Sequence, residues 1–318
     1  MSLKSFLLFT LFITVLNAEM TTRTKVMMGT FASITLPQEH KHLFKRSFEI
    51  LKRVDNSLSS YNKNSPIYKL NKNRKSDINL YTYEALSLSK GYYKNTAGYF
   101  NIAIGSITQD LYHFGASERV PESWELNASD VSFSEVVFER GSASLGQGVQ
   151  VDLGGMGKGF GVDRVVEYLK INGVTEARVA LSGDIRCLGV CKVEIVNPSA
   201  KEPLKSFYTK YLDMGVSTSG NYNRYVKDVK NNHLINPKTK ESQTSFISIT
   251  LIAKLPSSDL DAYATAASVM PSELAFKFLD SLELAYVVLD TQKLLTVSEN
   301  FELFTSDGVE QEPEYIEQ

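Results

Sequence analysis

Asp261 and Thr265 stand four residues apart in "PSSDLDAYATAASVMP", residues 256–271, a spacing that puts a carboxylate and a hydroxyl on one face of a helix. Two oxygen donors of this kind suit a hard cation such as Mg²⁺ better than Zn²⁺. A plainer reading stands beside it. Ser258-x-x-Asp261 is also a helix-start pattern, in which the acid only favours the positive end of the helix.

A second candidate is "VDLGGMGKGFGVDRVVEYL", residues 151–169, where Gly154, Gly155, Gly157, Gly159 and Gly161 crowd together before a helical pattern begins. Glycines cost conformational entropy, so a cluster of them needs a reason. The stretch is not a Walker A loop, because Asp152 occupies the first glycine position and Gly159 replaces the Ser or Thr. It is not a dinucleotide fingerprint either, because Phe160 or Val162 stands at the final glycine position. The physics behind both motifs is still present. Unobstructed main-chain amides and a helix start suit a phosphate, and Lys158 adds positive charge. Asp152 and Asp163 would repel a phosphate unless a cation sat between, or would bond a sugar or base. The structural alternative is a tight strand-to-helix turn that simply needs small residues.

Other chemistry-bearing residues are sparse. Thr218-Ser219-Gly220 offers hydroxyls on a turn, and His233 precedes the turn signal Asn236-Pro237. His40 and His42 are two apart on an expected helix, so they diverge. Cys187 and Cys191 lie close in sequence. They read equally as a disulfide, if the chain is exported, or as two small residues near a turn.

The elements that must carry these groups follow from periodicity. Residues 25–36 alternate as a strand, 39–60 and 82–96 are helical, and 141–153 form a hairpin or turn leading into a strand. The apolar face Val162, Val165, Val166 and Leu169 makes a helix that Asn172-Gly173 ends. "ARVALSGDIRCLG", "CKVEIV", "SFISITLIAK" and "AYVVLD" are strand-like. Helix runs from Asp261 to Met270, breaks at Pro271 and resumes from Leu274 to Leu284. Without a strict βαβ rhythm, the expected class is α+β, with mixed or antiparallel sheets and packed helices.

Of 318 residues, 43% are hydrophobic and 22% charged, an ordinary globular balance that is enough for a real core. A net charge of −2 gives no basic field and argues against a nucleic-acid partner. Residues 1–18 resemble a secretory signal, with Lys4, an apolar run from Phe6 to Leu16 and a small residue, Ala18. An exported protein is therefore expected, periplasmic or at the outer face of the cytoplasmic membrane, with membrane association only through that segment if it stays uncleaved. One domain is expected over 22–310, with 311–318 as a tail.

Taken together, the segments resemble the FAD:protein FMN transferase family, also called the ApbE family. The resemblance rests on "MGTFASITL" at 28–36, "VDNSLSSYNKNSPIYKLN" at 54–71, "GYFNIAIGSI" at 98–107 and "VDLGGMGKGFGVD" at 151–163. It continues through "LSGDI" at 181–185, "STSGNYNRY" at 217–225, "HLINPKT" at 233–239 and "LDAYATAASVM" at 260–270, all in the family's order. It implies a T-fold-like architecture and an enzyme that moves FMN from FAD to a Thr or Ser hydroxyl of a partner protein, using Mg²⁺ and releasing AMP. The partner would be a flavin-carrying protein, such as a subunit of a membrane redox pump. Asp261, Thr265 and the main-chain carbonyl of Gly155 then resemble the metal ligands. Met28, Tyr61, Tyr99, Phe100, Asn101, Asp152, Lys158 and Ile247 resemble FAD contacts, and His233 a proton acceptor for the nucleophile. The sequence departs from the pattern at Asn101, at Asn236, at Ser182 and after "PKT". Two other functions would use a similar site: an FAD pyrophosphatase giving FMN and AMP, and a flavin-binding protein without catalysis.

Overall fold

Two residues, Met28 and Gly29, reverse the chain between two long strands. Both take positive φ, 51° and 74°, as a two-residue hairpin turn demands. The expected single strand over 25–36 is therefore a hairpin. Its turn was hidden because Met, rather than Asn or Asp, occupies the first left-handed position. In the computed structural model, residues 19–308 are described. The expected signal segment, 1–18, and the expected tail, 311–318, lie outside the described residues.

Elements are numbered in chain order. The main sheet runs, side by side, β1 (Met20–Met27), β2 (Thr30–Pro37), β6 (Arg178–Leu181), β7 (Asp184–Cys187), β10 (Met214–Gly220), β11 (Phe246–Ala253), β12 (Ala285–Asp290) and β13 (Leu295–Val297). Every neighbouring pair is antiparallel. One small sheet joins β3 (Lys75–Asp77), β5 (Ser142–Leu145) and β4 (Val136–Glu139), and another joins β14 (Thr305–Ser306), β9 (Lys205–Thr209) and β8 (Lys192–Ile195). The helices are α1 (Phe44–Leu58), α2 (Pro66–Asn73), α3 (Leu80–Asn95), α4 (Gly105–Thr108), α5 (Ser123–Ala128), α6 (Gly157–Ile171), α7 (Ser257–Val269), α8 (Ser272–Asp280) and α9 (Phe301–Phe304). The α+β class expected from the sequence is what the chain adopts. The strand expected to follow the turn near 146–153 is absent; Gln150 makes only a single parallel bridge to Ile104.

Side-chain alternation divides the main sheet into two buried faces. Val179, Leu181, Ile249, Leu251 and Val288 face the helices, packing with residues of α1, α6 and α7. Ala180, Ile185, Cys187, Val216, Ile252 and Val287 face the small β8–β9–β14 sheet and Phe207. The same alternation turns Asp184 of β7 and Ser217 and Ser219 of β10 toward the helices, where an apolar side chain would otherwise be expected. Cys187 and Cys191 form a disulfide across the β7–β8 connection, with Cα atoms 6.0 Å apart.

Candidate active site

The glycine run resolves into separate tasks. A Cβ on Gly159 would lie 2.2 Å from the carbonyl oxygen of Ser257, so α6 and α7 meet main chain to main chain there. A Cβ on Gly155 would lie 2.9 Å from Thr265 Cγ2 and 3.4 Å from Phe100. Gly157, the first residue of α6, has only Leu58 Cδ1 at 3.8 Å. Much of the run is thus a close-packing device between helices, rather than the strand-to-helix turn of the structural alternative. It also brings the start of α6 against the face of α7 that bears Asp261 and Thr265.

Four residues named from the sequence meet at this crossing. Lys158 Nζ donates to both carboxylate oxygens of Asp261, at 3.2 and 3.1 Å, and the Gly159 N–H donates to Oδ2 at 3.1 Å. Thr265 Oγ1 donates to the Gly155 carbonyl at 3.2 Å and lies 3.3 Å from Ser219 Oγ. Asp261 is not a helix cap, because α7 begins four residues earlier. The helix start is held instead by Asp163, which accepts from the N–H groups of Ser257 and Ser258. Asp163 is therefore a cap and not a ligand-facing carboxylate.

Asp184 completes the cluster, and only its position inside "LSGDI" pointed to it beforehand. Its Oδ1 accepts from Ser217 Oγ. Its Oδ2 lies 2.8 Å from Lys158 Nζ but takes part in no well-aligned hydrogen bond. The Asp184 and Asp261 side chains are 1% and 3% exposed, against 30% for Lys158. Two buried carboxylates share one ammonium, which leaves an excess negative charge in a low-dielectric place. Burial, then the Asp184 charge, push the Asp261 carboxyl well above the ordinary carboxylate range, against the pull of Lys158 and the Gly159 N–H. Burial lowers the Lys158 ammonium, but Asp184 and Asp261 outweigh it and hold the ammonium above the usual lysine range. The cluster therefore has the charge and the oxygen donors to hold a further hard cation. Among the described residues no group of three His, Cys, Asp or Glu side chains converges as a metal site.

The remaining expected residues lie on other segments. Asp152 accepts from Thr108 Oγ1 at 2.8 Å, Gln109 Nε2 at 2.9 Å and the Gly154 N–H at 2.8 Å. Burial would raise its carboxyl, but the Arg224 charge and these bonds hold it below the usual range. Gln109 also donates to Tyr61 Oη at 3.1 Å, and Tyr61 donates to the Phe114 carbonyl at 2.8 Å. Arg224 donates to Tyr61 as well and lies over the Phe114 ring, 5.3 Å from its centroid. Sequence reasoning missed Gln109 and Arg224, both of which lie inside or beside the quoted motifs.

His233 Nδ1 lies 3.1 Å from the Arg224 carbonyl, so that nitrogen carries the proton and Nε2 keeps its lone pair. Burial, then the Arg224 charge, depress its pKa to about 4, which makes it neutral near pH 7. Phe100 is buried edge-on against Tyr92, and Tyr99 has the Lys238 ammonium 5.6 Å from its ring centroid. Met28 sits at the β1–β2 turn with its sulfur beside Gly161 of α6. Ile247 sits at a register shift of β11, and its carbonyl accepts the Asn221 N–H at 3.0 Å. Asn101 uses its amide on the Val131 carbonyl and the Ala103 N–H, at 2.8 and 2.9 Å.

Residues 28–288 match the model of the ApbE family. The chain belongs to the ApbE family. An FAD:protein FMN transferase of Vibrio cholerae is 27% identical over 242 residues, spanning 70% of this chain and 72% of that relative. One of Haemophilus influenzae is 27% identical over 288 residues, 81% of each. Solved ApbE-family structures share the fold. The flavin transferase ApbE from Vibrio cholerae superposes with a TM-score of 0.78 at 23% identity, covering 90% of this chain and 99% of its own. The ApbE protein of Thermotoga maritima gives 0.82 at 22% identity, covering 91% and 100%.

Proposed function

We propose that this ApbE-family chain is an enzyme that moves FMN from FAD onto a Thr or Ser hydroxyl of a partner protein, with Mg²⁺ held by Asp261, Thr265 and the Gly155 carbonyl. The observation that carries this reading is the contact of Thr265 Oγ1 with the Gly155 carbonyl, one helical turn along α7 from Asp261, beside a cluster with excess negative charge. FAD:protein FMN transferases among the relatives support the same activity.

In the transfer, the acceptor oxygen forms a bond to the FMN phosphorus, the pyrophosphate P–O bond breaks, and AMP leaves with the electron pair. Mg²⁺ would neutralise charge on the pyrophosphate as that bond breaks. His233, neutral and with Nε2 free, takes the hydroxyl proton. A pKa near 4 makes it a weak base alone, and the negative charges of FAD arriving beside it raise it. Tyr61, Phe100, Tyr99, Met28, Asn101 and Ile247 bind and orient the flavin nucleotide, with Asp152 fixed behind Tyr61 by Gln109. An acceptor outside the cytoplasmic membrane is part of the proposal, supported by the signal-like residues 1–18 and by the Cys187–Cys191 disulfide.

The test is mass spectrometry of a Thr-containing acceptor peptide incubated with the protein, FAD and Mg²⁺. The expected result is an FMN mass gain with AMP release, lost in EDTA and in Asp261→Ala. Free FMN and AMP with an unmodified peptide would move the reading to an FAD pyrophosphatase. Labelling that survives Asp261→Ala would overturn the metal assignment.

A further inference from the structure

Lys158 is placed where it must compete with the cation it stands beside. Its ammonium lies across both oxygens of Asp261, at 3.2 and 3.1 Å, and the Gly159 N–H takes Oδ2 as well. Both Asp261 oxygens therefore already accept from the ammonium that a divalent ion would have to displace. Asp184 supplies the alternative. Its Oδ2 is fully buried, lies 2.8 Å from the same ammonium and has no aligned donor, while its Oδ1 is anchored by Ser217. A buried carboxylate oxygen without a donor is costly, and this one has a single charged group within reach.

We propose that Lys158 is a tethered stand-in cation, which covers Asp261 when no metal is bound and is handed to Asp184 when a divalent ion arrives. This rests on the reading of Asp261 and Thr265 as cation ligands. Asp184 then acts as a positioning residue rather than a ligand: it is the place to which the ammonium retreats. Binding of the metal costs the Lys158–Asp261 contact, so the free protein holds the ion weakly. An anionic substrate that engages the released ammonium offsets that cost, which couples the two binding events. The device keeps a positive charge against the Asp184–Asp261 pair whether or not the ion is bound.

The test is Mn²⁺ binding to the whole protein without FAD, read by the loss of the free-ion electron paramagnetic resonance signal. Removing the competitor in Lys158→Met should tighten Mn²⁺ by roughly tenfold or more, because an ammonium within contact distance no longer opposes the ion. Asp184→Asn, which strands Lys158 on Asp261, should weaken Mn²⁺ by a similar factor. The double variant Lys158→Met/Asp184→Asn should return near the Lys158→Met value, since Asp184 acts only through Lys158. Lys158→Gln, which keeps a polar group against the carboxylates, covers the case in which Lys158→Met does not fold.

Unchanged or weaker Mn²⁺ binding in both folded Lys158 variants would overturn the proposal. So would a double variant as weak as Asp184→Asn alone, because Asp184 would then be a direct ligand. If neither the wild-type protein nor the Lys158 variants bind Mn²⁺, the cation reading itself fails and takes this proposal with it. Wild-type binding that Asp261→Ala abolishes but Lys158→Met leaves unchanged would overturn the stand-in role alone.

Discussion

The Asp163 carboxylate accepts both the main-chain N–H and the hydroxyl of Ser258, at 2.9 and 2.7 Å. Its other oxygen accepts the Ser257 N–H at 2.7 Å. One side chain of α6 thus caps α7 from 95 residues away in sequence. It sets the depth at which Asp261 and Thr265 lie over the start of α6.

Asp163→Ala should cost about 2–3 kcal/mol, because it leaves two main-chain donors and a hydroxyl without their acceptor at a helix end. Urea unfolding measures this. FMN transfer should fall even below the unfolding midpoint, since α7 loses its seating. Full transfer activity with reduced stability would separate the cap from the site.

The glycines of the run should respond very differently to the same substitution. Gly159→Ala places a Cβ 2.2 Å from the Ser257 carbonyl, and neither helix can move without disturbing the site. A loss of several kcal/mol, or no folded protein, is expected. Gly157→Ala meets only a flexible Leu58 methyl at 3.8 Å and should be neutral or gain up to about 1 kcal/mol from helix propensity. Thermal denaturation of the two variants side by side decides the matter.

Ser182 holds φ 57° in the two-residue turn between β6 and β7, where a side chain is strained. Ser182→Gly should therefore stabilise the protein by about 0.5–1 kcal/mol. The adjacent Gly183→Ala should gain nothing comparable, since a Cβ there would lie 3.0 Å from the Thr218 carbonyl and force a small shift of the β10 main chain. Chemical denaturation of both variants checks the pair.

His233 should make stability depend on acid. Its pKa near 4 in the folded protein lies below the unfolded value of about 6.5. Below pH 6.5 the unfolded chain gains a proton that the folded chain refuses. Stability from this group is complete above pH 6.5, declines toward pH 4 and levels off below it, with a ceiling of about 3 kcal/mol. His233→Asn should flatten that decline in urea titrations run from pH 7 to pH 4. It should also lower transfer by about 10²–10⁴-fold if the imidazole takes the acceptor proton. Parallel losses of stability in both proteins would show that other groups set the acid response.

Elements with strong periodicity were legible in the sequence. The apolar face of Val162, Val165, Val166 and Leu169 became α6, closed by Asn172 and Gly173, and "SFISITLIAK" became β11. What was not legible depends on partners remote in sequence. Asp163 looked like a ligand because its task, capping α7, lies on another segment. For the same reason α7 starts at Ser257, and Asp261 is free of the cap role its spacing suggested. The hairpin at Met28 was missed because a bulky residue occupies a left-handed position that local preference assigns to Asn or Gly. The motif match named Asp261, Thr265, Gly155 and Lys158, which the fold brings to one crossing of α6 and α7. It did not reveal that Asp184 shares the ammonium, since a contact between a strand and a helix start leaves no spacing signal.

The contacts of the charged crossing join Lys158 to Asp261 across 103 residues and Gly155 to Thr265 across 110. A growing or threading polypeptide presents the glycine run long before α7 exists. No partly folded N-terminal fragment can gain affinity from the completed crossing, and loop closure over that distance must come first. A cation or nucleotide that needs this crossing would therefore stabilise only the fully assembled chain, by mass action. Nucleotide-dependent resistance to proteolysis should appear only after the chain through Val269 has been made, which makes ligand protection a timer for the last act of folding.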